Sequence, residues 1–91
     1  MLISGVTGQF KRDFKKAESR GKDMAKLVEP MELITMELPL PASYKDHPLK
    51  GEYNDYRELH IEPDWLLIYR YVGTDRVLFH RTGTQSDLFK K

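Results

Sequence analysis

Two short stretches carry residues suited to proton chemistry. "YKDHPLKG" (residues 44 to 51) places His47 between an aspartate and a proline, and "YRELHIEPDW" (56 to 65) places His60 only 13 positions later. An unperturbed imidazole titrates near pH 6.5, so both its forms are present at neutral pH and a pair of them can give and take protons. Each histidine also has a plainer reading. His47 could bridge its own Pro-adjacent turn, and His60 could be a surface residue at a strand end. Three histidines and Asp64 raise the question of a metal, but the chain has no H-x-H or H-E-x-x-H spacing and no cysteine, so a metal enzyme is the weaker alternative.

The elements that must hold these groups are limited by size. Ninety-one residues make a single domain, since a chain this short buries only about 60% of the surface it would expose unfolded. A hydrophobic fraction of 40% and a charged fraction of 32% are those of a soluble globular protein. The longest apolar run falls far short of the roughly 18 residues of a membrane span. The N-terminus lacks a basic region followed by an apolar segment, and the absence of cysteine removes disulfides, so a cytoplasmic location is expected. The net charge of +1 is unevenly spread: from Lys11 to Lys26, seven basic residues (Lys11, Arg12, Lys15, Lys16, Arg20, Lys22, Lys26) face Asp13, Glu18 and Asp23. A polyanion or acidic partner would be steered there, although basic outer faces are also ordinary in small helices.

Helices come first along the chain and strands follow. "LIS" (2 to 4) could be a short strand. Thr7 is a suitable N-cap for a helix in which Phe10, Phe14 and Ala17 recur at helical spacing until Gly21 stops it. Asp23 can cap a second helix that carries Met24, Leu27, Val28, Met31, Leu33, Ile34 and Met36, with a kink or restart expected at Pro30. A loop from Pro39 to about Asn54 leads to "YRELHI", "WLLIYRYV" and "RVLFHRT", separated by the turn signals "EPD" and "GTD". The economical solution is α+β: a small antiparallel sheet, mixed at most, with the two N-terminal helices packed on one face and a short C-terminal segment. Period two puts Tyr56, Glu58 and His60 on one face of their strand and Arg57, Leu59 and Ile61 on the other. Arg81 shares parity with the apolar Val77 and Phe79, so its exposure rests on the nearby strand end at "TGT".

"LPLPASYKDHPLKGEYNDYRELHIEPDWLLIYRYV" followed by "RTGTQSDLF" resembles the YafQ-type toxins of the RelE/ParE superfamily, in several separated blocks with the right order and spacing. The resemblance is dense over residues 38 to 89, whereas the helical part agrees by layout. It implies a RelE-like fold and a toxin of a bacterial toxin-antitoxin module that cuts messenger RNA on the ribosome. Cutting RNA without a metal or other cofactor requires deprotonating a 2′-OH, stabilising charge on the scissile phosphate and protonating the departing 5′-oxygen. The family pattern lays this work on His47, His60, Asp64, Arg81, Gln85 and Phe89. Arg81, always charged, can fork two donors onto phosphate oxygens, and a Phe89 near the chain end can stack on a base. Each of these has a plainer reading too: Asp64 could bond its own turn, Arg81 could pair with Glu58 or Glu62, and Phe89 could pack. Contact with ribosomal or messenger RNA falls to Lys11, Arg12, Lys15, Lys16, Lys22, Lys50 and Trp65, the last more often a core residue. His80 matches no catalytic position and reads as structural or solvent-facing. The implied partners are a cognate antitoxin, the ribosome and mRNA, and no membrane.

The chain departs from the pattern at one place. The family reads "RTGTHSxLF", so Gln85 stands where a histidine is expected to act as general acid or hold the leaving oxygen. Glutamine has no titratable proton but can still hydrogen-bond an oxygen. Two readings stay open: a natural variant that cuts with His47 and His60, or a deliberately disabled toxin that keeps its antitoxin and ribosome surfaces. A ParE-like gyrase inhibitor shares the fold, but the "YKDHPLKG" and "HIEPDW" blocks match the RNA-cutting branch.

Overall fold

The computed structural model describes residues 1 to 89. Its elements run β1 (Ile3–Val6), α1 (Gly8–Ser19), α2 (Ala25–Thr35), β2 (His47–Pro48), β3 (Arg57–Glu62), β4 (Trp65–Val72), β5 (Arg76–Gly83) and α3 (Gln85–Phe89). The strands form one sheet in the order β1-β5-β4-β3-β2. Four of them pair antiparallel, while β1 lies parallel to β5, so the sheet is mixed. No helix among the described residues is long and apolar enough to cross a membrane.

Local chemistry accounts for the helix ends. The Thr7 hydroxyl accepts the Phe10 N–H at 2.9 Å and starts α1, while Gly21, at φ +82°, lets the chain turn away from it. Asp23 accepts the Ala25 N–H ahead of α2. Pro30 is buried inside a helix that continues to Thr35 without restarting, because its apolar ring joins the core face and only one backbone bond is lost.

Both helices contribute to one core. Phe10, Ala17, Leu27 and Ile34 pack with Leu59, Trp65, Leu67, Tyr69, Val77 and Phe79, the alternate residues of the three long strands. Arg57 shares that face without disturbing it, because it stands at the rim and donates to Asp46 at 2.8 Å. Trp65 is 1% exposed, with its indole N–H donating to the buried Thr82 hydroxyl at 3.0 Å. That corrects the assignment of Trp65 to RNA contact, since it offers no free ring face to a base. The opposite face of the sheet carries Tyr56, Glu58 and His60, and no helix from the N-terminal half covers it.

The segment from Pro39 to Asn54 is more ordered than a loop. It forms two short 3-10 turns, Ala42–Tyr44 and Gly51–Tyr53, and between them β2 pairs His47 with Glu58. His47 therefore sits on the sheet edge itself.

Candidate active site

The site is built from the edge inward. Asp46, just before His47, accepts both Nε and Nη2 of Arg57 and the Tyr69 hydroxyl, which fixes the start of β2. Burial and the neighbouring Asp46 carboxylate push the Tyr69 phenol far above its ordinary value, so it stays a donor. Lys45, at φ +53°, turns its carbonyl toward the His47 ring, and Nδ1–H of that ring donates to it at 2.7 Å. The proton of the neutral ring is thereby placed on Nδ1, and a second proton at Nε2 would point toward Glu58.

Glu58 is the joint of the site. It is buried, and Oε1 lies 3.3 Å from His60 Nε2 and 3.7 Å from His47 Nε2. The two rings lie nearly parallel with centroids 6.1 Å apart. One carboxylate thus orients two imidazoles on a single wall of the open face. The same three residues offer donor atoms that all lie within 4.8 Å of one another, a set with the chemistry to hold a divalent transition cation. Spacing arguments overlooked this set because one donor arrives on a two-residue strand.

Arg81 comes to the open face through an irregularity. The β4–β5 register passes from Ile68 opposite Arg81 to Tyr69 opposite Phe79, leaving His80 as an extra residue. The bulge breaks the parity that Arg81 would share with Phe79 and Val77. Its neighbour Thr82 points into the core, whereas Arg81 stands opposite Ile68, on the side of His60 and Glu58.

Asp13 holds Arg81 in place. Arg81 Nε donates to Asp13 Oδ2 at 2.7 Å and Nη2 to Oδ1 at 3.3 Å, so its ion-pair partner is Asp13 and not Glu58 or Glu62, the partners of its plainer reading. On the side away from β4, β5 loses its β1 partner beyond Phe79, and there Asp13 also accepts the edge N–H of Thr82 at 3.2 Å and Gln9 Nε2 at 3.0 Å. This buried carboxylate substitutes for the missing strand. The sequence held a signal for it, since Asp13 lies on the same helical stripe as Phe10 and Ala17.

The remaining candidates lie in the β3–β4 turn and in α3, after the end of β5. Asp64, in the β3–β4 turn, accepts the Gln85 backbone N–H at 2.9 Å, bringing the two residues together, and Gln85 is exposed. Phe89 ends α3 and is half-buried. Thr84 and Asp87 cap α3 reciprocally at 3.1 Å, and Arg20 donates to Asp87 at 2.9 Å. The Arg20 guanidinium, followed by the Thr84 N–H, holds the Asp87 carboxyl well below its usual range.

The basic stretch divides in two. Lys16 and Arg20 pair with Asp87, and Lys22 and Lys26 pair with Glu62. Lys11, Arg12 and Lys15 are exposed and form no ion pair among the described residues. Lys50 is exposed beyond β2. A cleft of about 240 Å³ between α1 and the end of β5 is lined by Arg12, Lys16, Arg20 and Arg81 together with the two acids Asp13 and Asp87.

Comparison with known proteins agrees with this architecture. The mRNA interferase toxin YafQ of Escherichia coli K12 is 54% identical over 85 residues, 91% of this chain and 90% of that protein. YafQ in the E. coli DinJ–YafQ complex superposes with a TM-score of 0.88 at 48% identity, covering 98% of this chain and 99% of that one. A metal-bound toxin from Helicobacter pylori superposes with a TM-score of 0.91 at 37% identity, covering 98% and 100%. The family model described as "Bacterial toxin of type II toxin-antitoxin system, YafQ" matches residues 4 to 90, and the chain belongs to that family.

Proposed function

We propose that this toxin is an mRNA interferase, an endoribonuclease that cuts translated mRNA on the ribosome without a metal. The observation that carries the reading is the pair of imidazoles joined by Glu58 on the open face of the sheet, with Arg81, its guanidinium fixed by Asp13, two strands away in register across Ile68. His60 and His47 handle protons, and Arg81 draws the scissile phosphate and stabilises the charge that builds on it. Asp64 with Gln85 holds the flanking nucleotide at the groove end, and Phe89 stacks on a base. Lys11, Arg12, Lys15, Lys16, Lys22 and Lys50 supply phosphate contacts around the groove. The chain works as one toxin domain in the cytoplasm, neutralised by a cognate antitoxin as E. coli YafQ is bound by DinJ.

The test is primer extension on an mRNA translated in a purified system, beside the same RNA without ribosomes. Cuts confined to the translated RNA, persisting with a chelator selective for zinc and other transition metals that leaves the ribosome's Mg²⁺ in place, are expected; cutting of naked RNA or loss in that chelator would overturn the ribosome-dependent or the metal-free part. The His47–Glu58–His60 donor set supports a second ligand for the same site, and a metal-bound toxin is among the chain's relatives. A Zn²⁺ there would engage both imidazoles, so added zinc is expected to suppress cleavage.

A further inference from the structure

We propose that Arg70 and Arg76 form a track on the open face of the sheet that holds phosphates of the message next to the scissile bond. The inference rests on the ribonuclease reading above and deepens it, since an enzyme that cuts at a defined place must hold the strand beside the bond as well as the bond itself. On β4, Ile68, Arg70 and Val72 alternate onto the face that carries His60 and Glu58, whereas Leu67 and Tyr69 belong to the core. The register sets Glu58 and Arg81 beside Ile68, Leu78 beside Arg70, and Arg76 beside Val72. Arg70 therefore lies one two-residue step, roughly 7 Å, along the sheet from the line of Glu58, Ile68 and Arg81, and Arg76 lies roughly 14 Å from it. Positive charges that recur in one direction on one face suit a polyanionic strand better than a compact anion.

Neither guanidinium is committed to an acid. Arg57 and Arg81 are clamped by Asp46 and Asp13, but Arg70 and Arg76 form no ion pair among the described residues. Arg70 is set by an aromatic ring instead: its Cζ lies 5.6 Å from the centroid of Tyr56, and the Tyr56 ring packs on His80 with centroids 4.8 Å apart. Its Nε is buried with no acceptor among the described residues, so packing fixes the side chain and no carboxylate neutralises it. A guanidinium laid over a ring keeps its outer N–H groups available for phosphate oxygens. Arg76 is exposed, and both arginines line one cleft of about 310 Å³ together with Ile3, Val72 and Leu78. No acid among the described residues lines that cleft.

An acidic protein segment would meet the same charges, so the choice of RNA rests on continuity. The track begins at the register line that Glu58 shares with Arg81, on the face where His47 and His60 meet that carboxylate. A single strand engaged at that line and running along β4 presents its next phosphates to Arg70 and then to Arg76. The apolar side chains of Ile3, Val72 and Leu78 lie beside its bases and do not compete for the arginines.

The experiment measures single-turnover cleavage of a message on ribosomes, with toxin in excess over a range of concentrations, for the parent chain, Arg70→Gln, Arg70→Lys and Arg76→Gln. The message is compared with versions that carry one uncharged methylphosphonate linkage, moved stepwise away from the cut site on either side. Thermal melting and antitoxin affinity are measured in parallel. Arg70→Gln and Arg76→Gln are each expected to raise the toxin concentration for half-maximal cleavage about tenfold with antitoxin affinity unchanged, and Arg70→Lys, which keeps the charge, to recover part of that loss. In the parent, one flanking methylphosphonate should cost a similar factor, and in the variant whose arginine met that phosphate it should cost nothing more. Glutamine variants that cut within about twofold of the parent, or losses that multiply with the methylphosphonate at every linkage, overturn the proposal and leave the ribonuclease reading standing. A fall in antitoxin affinity with cleavage unchanged assigns the face to the antitoxin and overturns it equally. If the parent does not cut, the same series is run on Gln85→His; if that chain does not cut either, the ribonuclease reading has failed and the track falls with it.

Discussion

Asp13 illustrates how much of the site depends on residues that never approach RNA. It accepts four donors from Gln9, Arg81 and Thr82, and removing it would leave Arg81 unpaired and the Thr82 N–H unsatisfied at the sheet edge. Asp13→Ala is expected to destabilise the fold by about 2 to 3 kcal/mol and abolish cleavage, whereas Arg81→Ala should abolish cleavage at smaller cost in stability. Chemical denaturation beside cleavage assays separates the two. Glu58→Gln keeps the shape but removes the charge shared by His47 and His60, and a loss of at least tenfold in cleavage rate is expected with antitoxin affinity intact. The histidines and Arg81 were legible as chemical groups from their types and the family pattern. Their supports were not, because Asp46 and Asp13 act through contacts 11 and 68 positions apart in sequence, and Glu58 meets His47 only through the pairing of a two-residue strand.

At the scale of elements, periodicity and punctuation located both helices and the three long strands closely, since capping groups and turn residues act over a few positions. Strand β2 escaped because two residues carry no period, and the bulge at His80 escaped because an inserted residue inverts parity without leaving a mark in composition. The 39 to 54 segment is held to the sheet by Asp46, so Tyr69→Phe, which deletes one bond to it, is expected to cost about 1 kcal/mol and lower the cleavage rate through His47. Differential scanning fluorimetry and single-turnover kinetics measure the two effects. On α1, reversing the unpaired Lys11 and Lys15 should weaken ribosome association and flatten its salt dependence more than reversing Lys22, which Glu62 already engages. Equal effects from the two sets would show that the ion pairs seen here open on binding.

For the molecule as a whole, one face of the sheet is given to the core and the other to the groove, which is why a chain of 91 residues has room for both. The α1–α3 clasp at Asp87 adds a pH dependence. Its folded-state value is depressed, so its stabilisation is complete above the unfolded value near 3.9 and is lost as pH falls below it. Acid unfolding of Asp87→Asn should lack that component while neutral stability drops by about 1 kcal/mol. On the proposed reading, His60 and Arg81 together cut RNA despite Gln85. Primer extension on translated mRNA with the parent chain, His60→Ala and Arg81→Ala tests it most directly. Defined cuts from the parent and none from either variant are expected; an intact message with the parent, or cuts that survive both substitutions, would contradict that reading.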